Sequence, residues 1–280
     1  MNPLVSVIIT TRNEARNIRA CLLSIQKQTY RSVELIIIDN ASTDQTKEIA
    51  KELGASVYDK GPERSAQRNY GMKKAQGKYS FFLDADMTLT PRVIEECVHS
   101  AVKHGYLGVV IPERSIGTGF WAQCKALERE FYWGIDWIEA ARFFQTDAFR
   151  AIGGYDEELT GPEDFDLPQR IKTIHGATSI GRVNAYIVHN EGRLTLAKTL
   201  QKKFYYGKKM DQYQKKTHNV SYLQKQSSLL NRYMLFFSKP GLLFRYPIRG
   251  MGMLFMKTAE MGALALGYLS SIRVKAKQWE

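Results

Sequence analysis

Asp84 and Asp86 stand two residues apart at the end of an apolar run, in 80-SFFLDADMTLTP-91. An extended strand turns both side chains to the same side, with Ala85 opposite. Two neighbouring carboxylates repel, and burying one without a partner costs several kcal/mol. A divalent cation shared with a phosphate removes the conflict. Mg²⁺ and Mn²⁺ take carboxylate and phosphate oxygens and complete their shell with water. The bland alternative is an exposed turn, and the hydrophobic run ahead of the pair argues against it.

Other groups of the same chemical kind occur along the chain. Asp39 ends 33-VELIIID-39 and opens 39-DNASTD-44. A carboxylate there accepts hydrogen bonds from a nucleobase or a ribose hydroxyl, which leaves Thr43 to cap the following helix. Thr10, Thr11, Asn13 and Glu14 follow the apolar run 5-VSVIITT-11. Arg68, in 64-RSAQRNYGMKKAQGKY-79, is suited to a diphosphate or to Asp84, the alternative being a surface salt bridge. Glu163 and Asp164, in 161-GPEDFDLPQR-170, open a helical pattern. Acids in that position complement the helix dipole, and one facing a pocket serves as a general base. His189, in 186-YIVHNEGR-193, is a candidate third metal ligand beside Asp86 and Asp84, or else a satisfied structural histidine.

Something must bring these groups together. The apolar runs at 5–11, 33–39, 55–59, 79–86 and 107–113 alternate with helical patterns at 15–27, 43–53, 64–75 and 91–104. Strands and helices in alternation predict βαβ units and a mostly parallel, Rossmann-like central sheet flanked by helices. Ligands bind beyond the carboxyl ends of such strands, and the polar residues cluster at those ends. Farther on, a helix is expected over 120–136 and another over 163–174, and the chain turns helical and basic after His189. Two phosphate-loop patterns fail. Residues 71–79 have the wrong spacing and a tyrosine after the lysine, and 117-GTGFWA-122 does not follow the first strand.

The 280 residues are 44% apolar, enough for a sizeable core. Cys21, Cys97 and Cys124 show no metal-type spacing and read as reduced thiols. The N-terminus reads as a strand rather than a signal peptide. Charge is uneven. Residues 1–192 carry 23 Lys+Arg against 25 Asp+Glu, and residues 193–280 carry 17 against three, a net of +14. Two domains are therefore expected, residues 1–192 for chemistry and 193–280 as a basic helical region suited to an anionic partner.

The series VSVIITTRNE, VELIIIDNASTD, RN..G, FFLDADM, GGYDE and GPEDFDL, in that order, resembles the inverting family-two glycosyltransferases of the GT-A fold. The resemblance spans roughly residues 4–190. It implies transfer of a sugar from a nucleotide-diphosphate sugar to an acceptor hydroxyl, with inversion and a divalent metal. It implies that Thr11, Asn13, Glu14 and Asp39 hold the nucleoside end, with Arg68 and Glu163 near the donor. Asp84 and Asp86 correspond to the metal motif, Asp86 as the direct ligand, and Asp164 to the catalytic base. The QxxRW motif of processive synthases is absent, since 201-QKKFYYG-207 lacks Arg-Trp, so a single addition is expected.

The C-terminal region holds apolar stretches among Lys and Arg. Its longest charge-free run after Glu260, 261–272, is shorter than the ~20 residues of a bilayer span. Helices lying in the interface fit better, with Tyr268 and Trp279 as anchors. The expectation is a cytoplasmic enzyme held peripherally on an anionic membrane surface, with a glycan or lipid-linked acceptor. Two rival readings are a sugar nucleotidyltransferase, whose glycine-rich N-terminal loop is missing, and a nucleic-acid binder. The chain contains no recognisable recognition module for the latter, so no nucleic-acid partner is expected.

Overall fold

The computed structural model describes residues 2–159, 161–216, 224–226 and 228–276; Trp279 lies outside them. At the centre is β1 (Val5–Thr11), a β-branched strand with every residue buried. Its side chains alternate between two cores. Val5, Val7 and Ile9 face one apolar cluster, and Ile8 faces the other. β2 (Val33–Asp39) and β4 (Tyr79–Asp84) flank β1, both parallel to it, and β3 (Ser56–Asp59) lies outside β2. The chain thus runs outward from β1 to β3, then returns to the other side of β1. That reversal is a topological switch point, where the strand ends leave a crevice.

Register fixes what lines the crevice. Thr11 pairs with Asp39, and Thr10 pairs with Asp84. Beyond β4 the sheet continues with β8 (Ala141–Gln145), antiparallel to it, then β6 (Gly108–Val110) and β9 (Ile180–Arg182). The sheet of seven strands is mostly parallel, as the alternation of patterns predicts.

Helices cover both faces. α1 (Ile18–Gln26) and α4 (Val93–His104) bury Ile18, Cys21, Leu22, Ile94 and Cys97 against one face. α3 (Arg64–Lys74) and α7 (Glu163–His175) bury Met72, Leu167 and Ile171 against the other, joined by Phe149 of α6 (Thr146–Ala151). α2 (Thr46–Glu52) starts three residues later than the sequence suggests.

Two strand expectations shift for identifiable reasons. The run 107–113 is broken at Pro112, which has no N–H to give a ladder, into β6 and β7 (Glu113–Thr118). The fourth strand stops at Asp84; residues 85–86 turn, and β5 (Met87–Leu89) follows. β5 pairs antiparallel with β10 (Ile187–Arg193), placing His189 opposite Met87.

The chain forms two compact units. One comprises Met1–Glu113, Glu139–Glu157 and Pro162–His189. The other comprises Arg114–Ile138, Glu158–Gly161 and Asn190–Glu280. The second contains α5 (Phe120–Tyr132), α8 (Leu196–Lys216), a helix over Leu229–Phe237 and a long helix over Pro247–Ala276. Its own core holds Cys124, Leu127, Phe131, Phe236, Leu243, Met253 and Met256. All three cysteines are free and buried, and burial pushes each thiol up, away from the reactive thiolate.

Gly77 marks a close backbone approach at the base of β4. Its N–H donates to Ser6 Oγ at 2.8 Å, and an added Cβ would lie 2.6 Å from the Ser6 amide nitrogen and 2.8 Å from the Leu4 carbonyl. Backbone cannot yield as a side chain does. Gly77→Ala is expected to lower stability by about 1–3 kcal/mol in urea unfolding, with the m-value unchanged.

Candidate active site

Arg68 is the hinge of the site. It sits on α3 with no solvent exposure. One amino group donates to Asp164 Oδ1 at 2.5 Å and the other to Asp84 Oδ1 at 3.2 Å. The Tyr155 ring lies beneath the guanidinium, 5.2 Å from its centroid. Burial alone would favour the neutral form of Arg68. Asp164 and Asp84 outweigh it and hold the group well above its ordinary value.

Asp84 accepts from more than Arg68. Thr10 Oγ1 donates to it at 3.3 Å, and Arg64 and Arg142 each come within 3.9 Å. Burial would raise this carboxyl, but Arg64, Arg68 and Arg142 together hold it far below the usual carboxylate range. Asp86 has different neighbours. Its Oδ2 lies 3.2 Å from His189 Nε2, and its Oδ1 is buried with no hydrogen-bond partner. Glu113 follows behind His189, with an oxygen 3.8 Å from Nδ1, and Arg142 Nε donates to Glu113 at 2.7 Å.

Glu163 and Asp164 begin α7, where the free N–H groups of the first turn favour negative charge. Glu163 is buried and 3.9 Å from Arg64. Burial, then the neighbouring Asp164, raises its carboxyl above the ordinary value. Asp164 is partly open to solvent and bound to Arg68.

At the end of β1 and β2 the groups hold a loop. Thr11 Oγ1 donates to Asp39 Oδ1 at 2.8 Å, and the Ser42 N–H and hydroxyl donate to the same carboxylate at 2.7 and 2.6 Å. Asp39 is therefore fully buried in its own turn. Asn13 adopts a left-handed backbone (φ 55) that its short amide side chain tolerates. Its Oδ1 accepts from the Thr43 N–H at 2.8 Å. Thr43 does not cap α2; Asp44 takes the Thr46 N–H and hydroxyl instead. Glu14 accepts from Asn17 at 2.8 Å, and burial, with Asp86, Asp44 and Asp84 adding to it, raises its carboxyl.

The first unit thus brings Glu14, Asp84, Asp86, His189, Arg68, Glu163 and Asp164 into one linked set, with Thr11, Asn13 and Asp39 on the adjoining loops. Reading the sequence missed Arg64, Arg142 and Glu113. Arg142 had a signal, a cation opening the apolar strand 141-ARFFQ-145.

Among the described residues, no group of three His, Cys, Asp or Glu side chains could hold a metal ion by itself. Asp86 and His189 nevertheless fit a shared cation. They adjoin, and the buried Asp86 Oδ1 lacks any donor. Two protein ligands with phosphate oxygens and water is a common Mg²⁺ or Mn²⁺ arrangement. Asp84 is the less suited of the three, because arginines already surround it.

A profile of glycosyl transferase family 2 matches residues 6–155, more than half of the chain, and the chain belongs to that family. It is 39% identical over 93 residues to glycosyltransferase AglE of Haloferax volcanii, covering 30% of this chain and 31% of that protein. It is 34% identical over 170 residues to the uncharacterized glycosyltransferase YibD of Escherichia coli, covering 57% and 42%. These matches span less than half of either relative. The fold is similar to that of the mannosyltransferase PcManGT of Pyrobaculum calidifontis, solved with GDP-Man and Mn²⁺. The TM-score is 0.66 at 16% identity, over 96% of this chain and 88% of that one. The central sheet is that of the GT-A glycosyltransferases.

The arginines around Asp84 set a pH dependence. A carboxyl depressed in the folded chain adds stability above its unfolded pKa of about 3.9, and that contribution is lost as pH falls below it. Asp84→Asn should melt lower than wild type at pH 7. Its melting temperature should then fall less steeply between about pH 4 and pH 2. Parallel curves would show that Asp84 makes no such contribution.

Proposed function

We propose that this chain is an inverting, metal-dependent glycosyltransferase that moves a sugar from a nucleotide-diphosphate sugar to an acceptor hydroxyl. One observation carries the reading: in a family-2 chain, the first acid of the DxD triplet and the acid at the start of α7 converge on a single buried arginine. Groups suited to the two ends of the transfer therefore share one site.

The roles follow from position. Thr11, Asn13, Glu14 and Asp39 shape the nucleoside end. Arg64 faces the donor diphosphate with Arg68 buried behind it, and Glu163 steadies Arg64. Asp164 accepts the proton of the acceptor hydroxyl as its oxygen bonds to the anomeric carbon. The bond from that carbon to the diphosphate oxygen breaks on the opposite face, so the configuration inverts. The electron pair leaves with the nucleoside diphosphate, beside positive charge fixed before the reaction begins. A Mg²⁺ or Mn²⁺ ion, held through Asp86 and His189 with Asp84 adjacent, would neutralise charge on that leaving group.

In this reading, residues 1–192 carry the catalysis. The basic helical region 193–280 holds the enzyme peripherally on the cytoplasmic face of an anionic membrane, near a glycan or lipid-linked acceptor. Its support is the net charge of +14. Among the described residues, no helix is long and apolar enough to cross a membrane.

Two measurements test the chemistry. Asp164→Asn should cut transfer by about 10²–10⁴, while the thermal shift caused by UDP- or GDP-sugar with Mn²⁺ persists; retained turnover refutes the base. His189→Ala should weaken Mn²⁺ binding in the presence of nucleoside diphosphate by at least about tenfold in calorimetry. An unchanged affinity removes His189 from the metal site.

A further inference from the structure

In the middle of the long helix Pro247–Ala276 two charged residues, Lys257 and Glu260, face the protein. Lys257 is 5% exposed and Glu260 1%. Lys257 Nζ lies 2.5 Å from both Glu128 and Glu260, and Lys125 joins them at 2.9 and 3.5 Å. The lysines outweigh burial and draw Glu260 down to about 2.

The outward face is apolar. Ile248 is 70% exposed, Met251 65% and Phe255 59%, and Leu266, Leu269 and Ile272 continue the line. Their spacing follows the helical repeat, so they form one stripe. Thr258, Gly262 and Ala265 fill the gaps, and the stripe has no charge from Ile248 to Ile272. At 1.5 Å per residue it runs about 36 Å. The helix Leu229–Phe237 repeats the pattern on a smaller scale, exposing Leu230, Met234 and Phe237 at i, i+4 and i+7. Soluble monomers rarely expose so much contiguous apolar surface.

We infer that this stripe is a lipid-docking surface: the helix lies in the plane of an anionic bilayer, with Ile248, Met251 and Phe255 in the acyl boundary. The inference rests on the membrane reading of the basic region and assigns its partner to particular residues. Charge complementarity selects the occupant. Residues 193–280 carry 17 Lys+Arg against three acids. At the start of the stripe, Arg245 and Arg249 lie over the Tyr246 ring, 5.5 and 4.7 Å from its centroid. Arginine with tyrosine beside exposed aliphatic side chains suits the head-group layer. A crossing helix is not required, because the Lys257–Glu260 side is already packed on protein.

The test is co-sedimentation of the full chain with phosphatidylcholine vesicles, with and without phosphatidylglycerol. Wild type should sediment with the anionic vesicles and far less with the neutral ones. Ile248→Glu/Met251→Glu should reduce the affinity by about tenfold or more at an unchanged melting temperature. A dye on Met251→Cys should shift to the blue when anionic vesicles are added. Equal binding by wild type and the double variant would overturn the stripe and leave only charge-driven association. Wild type that ignores vesicles but forms a dimer broken by the double variant would assign the face to a second copy and also overturn it. Donor binding is read separately from thermal shifts with nucleotide sugar and Mn²⁺. Their absence would sink the transferase reading without touching the stripe.

Discussion

A guanidinium with no contact with solvent, held between two carboxylates, is the constraint on which the site depends. Arg68 cannot shed its charge. Its burial is tolerable only while Asp84 and Asp164 stay in place, because a buried ion robbed of its partner costs about 3–5 kcal/mol. Three segments far apart in sequence are thereby pinned: α3, the end of β4 and the start of α7. The Tyr155 ring closes the arginine from below, and Asn69 of α3 holds the Tyr155 backbone by accepting its N–H at 2.9 Å. The helix that carries the cation thus also positions its aromatic floor.

The sheet supplies the rest of the precision. Register sets Thr11 against Asp39 and Thr10 against Asp84. A slip of one residue would turn each of them to the other face. Continuous burial of β1 against two cores removes that freedom, since Ile8 and Ile9 fill different apolar clusters. On the far side of Asp84 the small pairing of β5 with β10 sets His189 beside Asp86. The two acids of the triplet therefore have separate environments, Asp84 among arginines and Asp86 beside an imidazole.

Much of this was legible in the sequence. The alternation of β-branched runs with helical patterns indicates the parallel core, and polar residues collect at the strand ends. The family motifs bring Asp84, Asp86 and Asp164 to notice. What escaped depends on pairing across long separations. Glu113 and Arg142 matter through each other and through His189 and Asp84, and no local pattern announces such contacts. Thr43 looked like a helix cap because Ser, Thr and Asp crowd 42–46; the start of α2 at Thr46 made Asp44 the acceptor. Asp39 looked open to a ligand, but Ser42 turns back on it. In the long helix, the burial of Lys257 and Glu260 has no local signal. Their partners Lys125 and Glu128 lie some 130 residues earlier, so the facing of that helix could not be read locally.

The second unit is assembled from three separate stretches of chain. Cys124, Leu127 and Phe131, which precede β8, share a core with Phe236, Leu243, Met253 and Met256. A protein ended at residue 192 would keep the residues assigned to catalysis but lose most of the partners of this core. It would present bare, in the middle of its own length, a helix whose covering had been cut away.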